Sequence, residues 1–210
     1  MKTTYRVFVV AIAFLALSYS ALANAYEKGD WLLRVGPGMV DPDSDNGTVP
    51  TLDVGVDVDS GISLVFNGTY FFTPNVAFEV LAALPFTHDV DLDGLGQVAE
   101  VKHLPPTFSL QYHFDTGNNF HPYVGAGLNW TIFFDEDTEG ALAGADLDLD
   151  DSVGLALQVG ADFDISDSMF MNFDFRYIDI EPEAEVSPLG LEFDVPIDPF
   201  VYSLTLGWKF

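Results

Sequence analysis

Apolar and polar residues alternate along most of this chain. In the last stretch, 199–210, Phe200, Tyr202, Leu204, Leu206, Trp208 and Phe210 fall on one face of an extended strand. Val201, Ser203, Thr205, Gly207 and Lys209 fall on the other, because successive side chains of a strand point to opposite sides. The same two-residue period runs through 31–40, 62–72, 76–86, 106–114, 123–134, 153–165 and 169–178. In 76–86 the apolar face reads Val76, Phe78, Val80, Ala82, Leu84 and Phe86. The pattern predicts eight strands, each near the ~9–11 residues that a tilted strand needs to cross a bilayer. Their connections alternate. Polar, acidic stretches at 41–59, 88–103, 135–151 and 181–198 are long, whereas Thr73-Pro-Asn75, Gly117-Asn-Asn119 and Ser166-Asp-Ser168 are short turns with the residues that turns favour. An antiparallel meander of this kind places every long connection at one end and both termini at the other.

The composition of the two faces decides which of them is outward. The apolar face carries aromatic residues near the strand ends and aliphatic ones between, as in strands that cross a membrane between two aromatic girdles. The other face holds Gly, Ser, Thr, Asn, Gln and scattered charges. A soluble lipocalin-like barrel reverses this arrangement, with its apolar side chains inward. Only a closed sheet leaves no unpaired edge in lipid. The fold class expected is therefore all-β: an eight-stranded antiparallel transmembrane β-barrel of the outer-membrane type, with periplasmic termini and extracellular long loops.

Charge and composition then narrow the function. The 210 residues are 49% hydrophobic yet carry a formal charge of −26, so apolar and acidic residues occupy different regions. Lys2 and Arg6 precede an apolar run from Val7 to Leu17, and Ala21-Leu-Ala23 and Ala23-Asn-Ala25 are small-x-small cleavage sites. Residues 1–25 are expected to be a cleaved signal peptide and 26–210 the barrel. Lys2 and Arg6 are two of the seven basic residues, which leaves five against 33 acidic ones in the mature chain, a net −28. No later stretch approaches the ~20 apolar residues of a membrane helix. Without cysteine there is neither a disulfide framework nor a thiolate metal site. The acidity also argues against a nucleic-acid partner, since phosphate contacts require basic groups.

Nothing in the sequence points to an enzyme. There is no G-x-S-x-G elbow and no H-E-x-x-H motif. Ser109 and His113 share a face but stand four positions apart on one strand, roughly 13 Å. The inward charges Arg34, Glu79, Asp162, Asp174, Arg176 and Lys209 must pair or stay hydrated in so narrow an interior. Leu32, Val65, Leu81, Phe133 and Ile178 interrupt that polar lining, either as packing or as an apolar track for a hydrophobic molecule. One acidic stretch, Asp89-Val-Asp-Leu-Asp-Gly-Leu-Gly-Gln-Val-Ala-Glu100, fits D-x-[DN]-x-[DN]-G-x5-E. It nominates Asp89, Asp91, Asp93 and Glu100 as oxygen ligands for Ca²⁺. Asp41, Asp43 and Asp45 repeat the first half of that pattern. No other cofactor is expected.

Several segments resemble the outer-membrane protein W (OmpW) family: Leu84-Pro-Phe86 with His88, His103-Leu-Pro-Pro-Thr107, Pro122-Tyr-Val-Gly-Ala-Gly-Leu-Asn129 and Phe133-Phe-Asp135. Gln158-Val-Gly-Ala-Asp162, Tyr177-Ile-Asp-Ile180, Asp198-Pro-Phe200 and Gly207-Trp-Lys-Phe210 complete the set. The resemblance implies a narrow eight-stranded barrel in outer-membrane lipid and passive uptake of small hydrophobic molecules, with alkane-uptake proteins among its relatives. It favours the track reading of Leu32, Val65, Leu81, Phe133 and Ile178. The alternative is a non-transporting structural or surface-interaction barrel whose acidic loops meet partners. The closing Trp208 and Phe210 resemble the terminal aromatic signal read by the barrel-assembly machinery. The loops here are more acidic than the family pattern.

Overall fold

The computed structural model describes residues 26–44, 46–49 and 52–210. The expected signal peptide, 1–25, and Asp45 lie outside the described residues. In chain order the strands are β1 (Trp31–Asp41), β2 (Thr48–Val49), β3 (Val54–Val58), β4 (Gly61–Phe71), β5 (Val76–Ala83), β6 (Phe86–Leu92), β7 (Gly96–Leu104) and β8 (Thr107–His113). There follow β9 (Phe120–Thr138), β10 (Asp146–Leu149), β11 (Ser152–Asp164), β12 (Met169–Ile178), β13 (Glu183–Ser187), β14 (Leu191–Asp194) and β15 (Phe200–Lys209).

Eight of these close the barrel. Antiparallel ladders join β1 to β4, β4 to β5, β5 to β8, β8 to β9, β9 to β11, β11 to β12 and β12 to β15. Closure comes from β15 on β1, with Leu33 opposite Trp208 and Val40 opposite Val201. The alternation reads out as expected. Arg34, Glu79 and Asp162 are wholly buried inside, whereas Val153, Leu155, Leu157 and Leu128 are exposed outside. No helix among the described residues is long and apolar enough to cross a membrane. The outside of the closed sheet carries a band of exposed apolar side chains, as the lipid-facing side of a membrane barrel does. Aromatic residues rim the band. Trp31 lies against Tyr70 and Tyr112 meets Phe114 at the short-turn end. At the other end Phe200 contacts Phe175 and Tyr177, and Trp130 donates its indole N–H to Asp151 at 3.0 Å.

The chain's last residue completes the seam. Phe210 N donates to the Trp31 carbonyl at 2.9 Å, and Trp31 N donates to the Phe210 carbonyl at 3.1 Å. Deleting Phe210 removes both bonds and an exposed terminal ring. The expected result is a several-fold loss of assembled barrel, read as the heat-modifiable band in outer-membrane fractions. A normal amount of that band would refute the assembly role.

Two expectations need correcting. The four long acidic connections are not simply loops, because each of them contains strands. β9 runs beyond β8 and pairs its outer half with β7, which pairs with β6, then β3 and β2; β10, β13 and β14 make a second small sheet. The acids and aliphatics of these segments alternate, so each strand turns its carboxylates to water and its aliphatics inward. On β6, Leu92 and His88 are buried while Asp89 and Asp91 are only partly covered; on β13, Ala184 and Val186 are buried while Glu183 and Glu185 are exposed. The second correction is Phe86, which is buried and not outward. β5 ends at Ala83, and Leu84-Pro85 breaks the strand before β6 begins, because proline supplies no N–H to the ladder. The phase of the alternation changes across that break.

Candidate functional site

The lumen is filled by an ion-paired network. Arg34 on β1 donates from Nη2 to Asp162 at 2.8 Å, from Nε to the same carboxylate at 3.2 Å, and from Nη1 to Glu79 at 3.2 Å and Thr69 at 2.8 Å. Glu79 on β5 also accepts from Arg176 at 2.6 Å, and Arg176 holds Asp174 at 2.6 Å. Around this chain of charges, Tyr123 donates to Asp174 and Tyr26 to Asp162, each at 2.7 Å. Asn172 donates to Asp162 at 2.7 Å and Asn67 to Glu79 at 3.1 Å. Gly160 leaves room for the Tyr123 ring, which a Cβ there would strike. Five of the six inward charges read from the sequence thus meet. Lys209 sits half-buried by the short-turn end, with Nζ 6.0 Å from the Tyr26 ring centre.

Beneath the network, Tyr26, Leu32, Phe71, Ala77 and Phe170 pack into an apolar floor, with Tyr26 stacked on Phe71 at 4.5 Å. Leu32 therefore lies apart from the other apolar lumen candidates. Val65, Leu81, Phe133 and Ile178 belong to a cluster on the outer side of the network, with Val40, Phe86, Val101, Ile180 and Val201.

Above that cluster the external strands enclose a cavity of about 240 Å³. Val56 on β3, Leu92 on β6, Val98 on β7, Leu147 on β10, Val186 on β13 and Val195 are among its walls, and Phe133 stands at its base. His88 and His103 are the polar side chains of the lining. A smaller cavity of about 10 Å³, lined by Val65, Leu81, Phe86, His103, Pro105 and Ile178, adjoins it through the shared residues Val40, His103, Ile180 and Pro199. Both histidines are buried. Burial lowers the pKa of His88, and burial together with His88 pushes His103 down to about 3, so both rings are neutral at physiological pH.

The sequence model of the OmpW family matches residues 27–210, the whole barrel with its external sheets. The chain belongs to the OmpW family. Outer membrane protein W of Vibrio cholerae serotype O1 is 41% identical over 213 residues, covering 96% of this chain and 98% of that protein. Outer membrane protein AlkL of Ectopseudomonas oleovorans is 32% identical over 213 residues, covering 95% and 90%. The crystal structure of OprG from Pseudomonas aeruginosa superposes with a TM-score of 0.79 at 38% identity, covering 88% of this chain and 97% of that one. This OmpW-family protein is an outer-membrane barrel and not an enzyme.

In this OmpW-family chain the segment nominated for Ca²⁺ forms the β6–β7 hairpin. Asp89 lies opposite Glu100 and Asp91 opposite Gln97, while Asp93 stands at the tip beside Gly94 and Gly96, both with positive φ. An extended strand spaces alternate carboxylates roughly 6–7 Å apart along an edge and does not wrap them around one centre. Among the described residues no group of three or more His, Cys, Asp or Glu is placed to hold a metal ion. Asp41 and Asp43 belong to a different segment, at the end of β1.

His88, His103 and the aliphatic walls went unnoticed as site residues in the sequence. The signal was present in Asp-Val-Asp-Leu, Asp-Leu-Asp-Leu and Glu-Ala-Glu-Val, each of which alternates as strictly as the barrel strands do.

Proposed function

We propose that this OmpW-family barrel is a passive conduit for small hydrophobic molecules, which enter the external chamber and leave sideways into the membrane. The observation that carries the reading is the stacking of an apolar chamber directly over a lumen closed by buried ion pairs. An apolar solute gains by leaving water for the chamber. To continue straight down it would have to part charges whose separation in a dry interior is costly.

The wall offers the alternative. The β5–β8 ladder ends at Leu81 opposite Thr107, and the β6–β7 ladder begins at Phe86 opposite His103. Between them lie Leu84-Pro85 on one side and Pro105-Pro106 on the other. Leu84 is exposed on the lipid side, and the smaller apolar cavity lies against this break. On the opposite edge Ser63 bonds the Leu84 and Pro85 carbonyls at 3.0 and 3.1 Å, which holds the segment to β4. Similarity over nearly the whole chain to AlkL and to outer membrane protein W supports a barrel of that kind and does not bear on the exit.

The test is uptake of a hydrophobic tracer by cells with and without the gene. Uptake should depend on the gene, and replacing Pro85, Pro105 and Pro106 together by valine should slow it several-fold in fully assembled barrels by letting the ladder close. Equal uptake with and without the gene would defeat the conduit. Loss of uptake only in the gene deletion, with the valine variant unaffected, would defeat the sideways exit alone. A second reading, a closed barrel whose surface meets partners, rests on the exposed acids such as Asp57, Asp148 and Glu185. It expects no tracer difference at all.

A further inference from the structure

The two apolar cavities share four lining residues and differ greatly in size. The chamber of about 240 Å³ has a wide outer rim: Leu52, Leu95 and Leu189 line it from three separate hairpin tips and are each more than half exposed. The cavity beside the break in the wall is about 10 Å³, room for about one water-sized sphere. Val65, Leu81, Phe86, His103, Pro105 and Ile178 line it, and all six are buried. One of its walls is a stack of rings. His103 lies between Phe86 and Phe133, with ring centres 5.5 and 5.7 Å away and planes tilted by 31° and 24°. Polar bonds pin the stack from behind. His88 Nδ1 lies 2.6 Å from the Asp59 carbonyl oxygen, which can only accept, so Nδ1 donates. His88 Nε2 then accepts from His103 Nε2 at 3.0 Å. Gly61 leaves room for the His88 ring, which a Cβ there would strike. The histidine pair thus holds one wall of the neck in place.

From these dimensions we propose that the neck sorts apolar molecules by cross-section, passing unbranched chains and holding back isomers with a branched or fused-ring skeleton. The proposal rests on the conduit reading of the same cavities. An unbranched chain threads the neck one methylene at a time, so the walls yield little at any moment. A quaternary carbon brings several methyl groups to one level. Walls packed at the density of a protein interior resist that widening, because overpacking forces side chains off their preferred rotamers. Pro105 adds a ring with a fixed backbone φ. The chamber draws no such distinction. It has room for either shape, and isomers that bury similar apolar surface gain similarly by entering it. Selection therefore sits at the exit and acts on rate, with Phe86 and Leu81 as the residues that set it.

The test compares two isomers of equal composition, n-octane and 2,2,4-trimethylpentane. Uptake is measured in cells with and without the gene, and binding by displacement of a hydrophobic fluorescent dye from the full barrel in lipid nanodiscs. The two should displace the dye within about threefold of each other, while gene-dependent uptake of n-octane should be at least about tenfold faster, as a modest added barrier at the neck allows. In Phe86→Ala and in Leu81→Ala, each checked for assembly by the heat-modifiable band, the uptake ratio should fall below about threefold, through faster passage of the branched isomer. Two variants are used because Leu81→Ala leaves the ring stack untouched. Equal gene-dependent uptake of the isomers would overturn the sieve and leave the conduit standing. So would a large uptake ratio matched by an equally large difference in dye displacement, which would place selection at entry. A large ratio unmoved in both variants would overturn the assignment to this neck. Absence of gene-dependent uptake for either isomer would remove the conduit reading and the sieve with it.

Discussion

Glu79→Gln is expected to lower the stability of the assembled barrel by roughly 3–5 kcal/mol, the cost of breaking a buried ion pair by removing one partner. Glu79 is wholly buried and is shared by two guanidinium groups, Arg176 at 2.6 Å and Arg34 at 3.2 Å. Gln keeps the shape and one acceptor but removes the charge, so both arginines lose their common counter-ion. Arg34 keeps Asp162 and Arg176 keeps Asp174, which is why the barrel should still assemble. Asp174→Asn should cost less, since it leaves Arg176 paired to Glu79. Urea unfolding in lipid vesicles, followed by tryptophan fluorescence, measures both. A loss below about 1 kcal/mol for Glu79→Gln would mean that water already screens the network, and the lumen would not be the closed plug described.

Phe133→Asp should reduce hydrophobic uptake at least about tenfold while the barrel still assembles. Phe133 is buried at the chamber's base and lies along the His103 ring at 5.7 Å. A carboxylate there holds water at the base of the chamber and charges the path of an apolar solute, and each ~1.4 kcal/mol added to passage slows it tenfold. Leu81→Asp, beside the smaller cavity, should slow uptake in the same sense. Leu128 is the control, because it is exposed on the lipid face of the same strand as Phe133. Leu128→Asp should cost about 2–4 kcal/mol of stability or less, according to depth, and leave transport by the surviving barrels intact. If the inner and outer substitutions behaved alike, the assignment of faces would be wrong. If uptake ignored Phe133→Asp, the chamber would not be the route.

The alternation of Phe200 to Phe210 made the closing strand legible, and the same period gave all eight barrel strands and their inward and outward faces. The external sheets were just as periodic, yet their aspartates drew attention to charge. In Asp89-Val-Asp-Leu92 the acids suggested an ion-binding loop, although the pattern was also that of a strand with Val90 and Leu92 turned inward. Phe86 was placed outward because alternation was carried through Leu84-Pro85, where the backbone leaves the ladder.

What the sequence determined by itself was the barrel: strand number, the order of short and long connections, and which residues face lipid. These follow from local rules, since a strand's period is two and a sheet in lipid must close on itself. Which inward residues meet was decided by the tertiary structure alone. Arg34 and Asp162 are 128 positions apart, and Arg176 and Glu79 are 97 apart. Their pairing depends on the stagger with which eight strands close, which sets each residue's height and direction in the lumen. The same closure put Leu32 on the floor, away from Val65, Leu81, Phe133 and Ile178. It also brought Val56, Leu92, Leu147 and Val186 from four separate segments around one cavity, because a half-apolar strand standing above the membrane can bury its apolar face only against others like it.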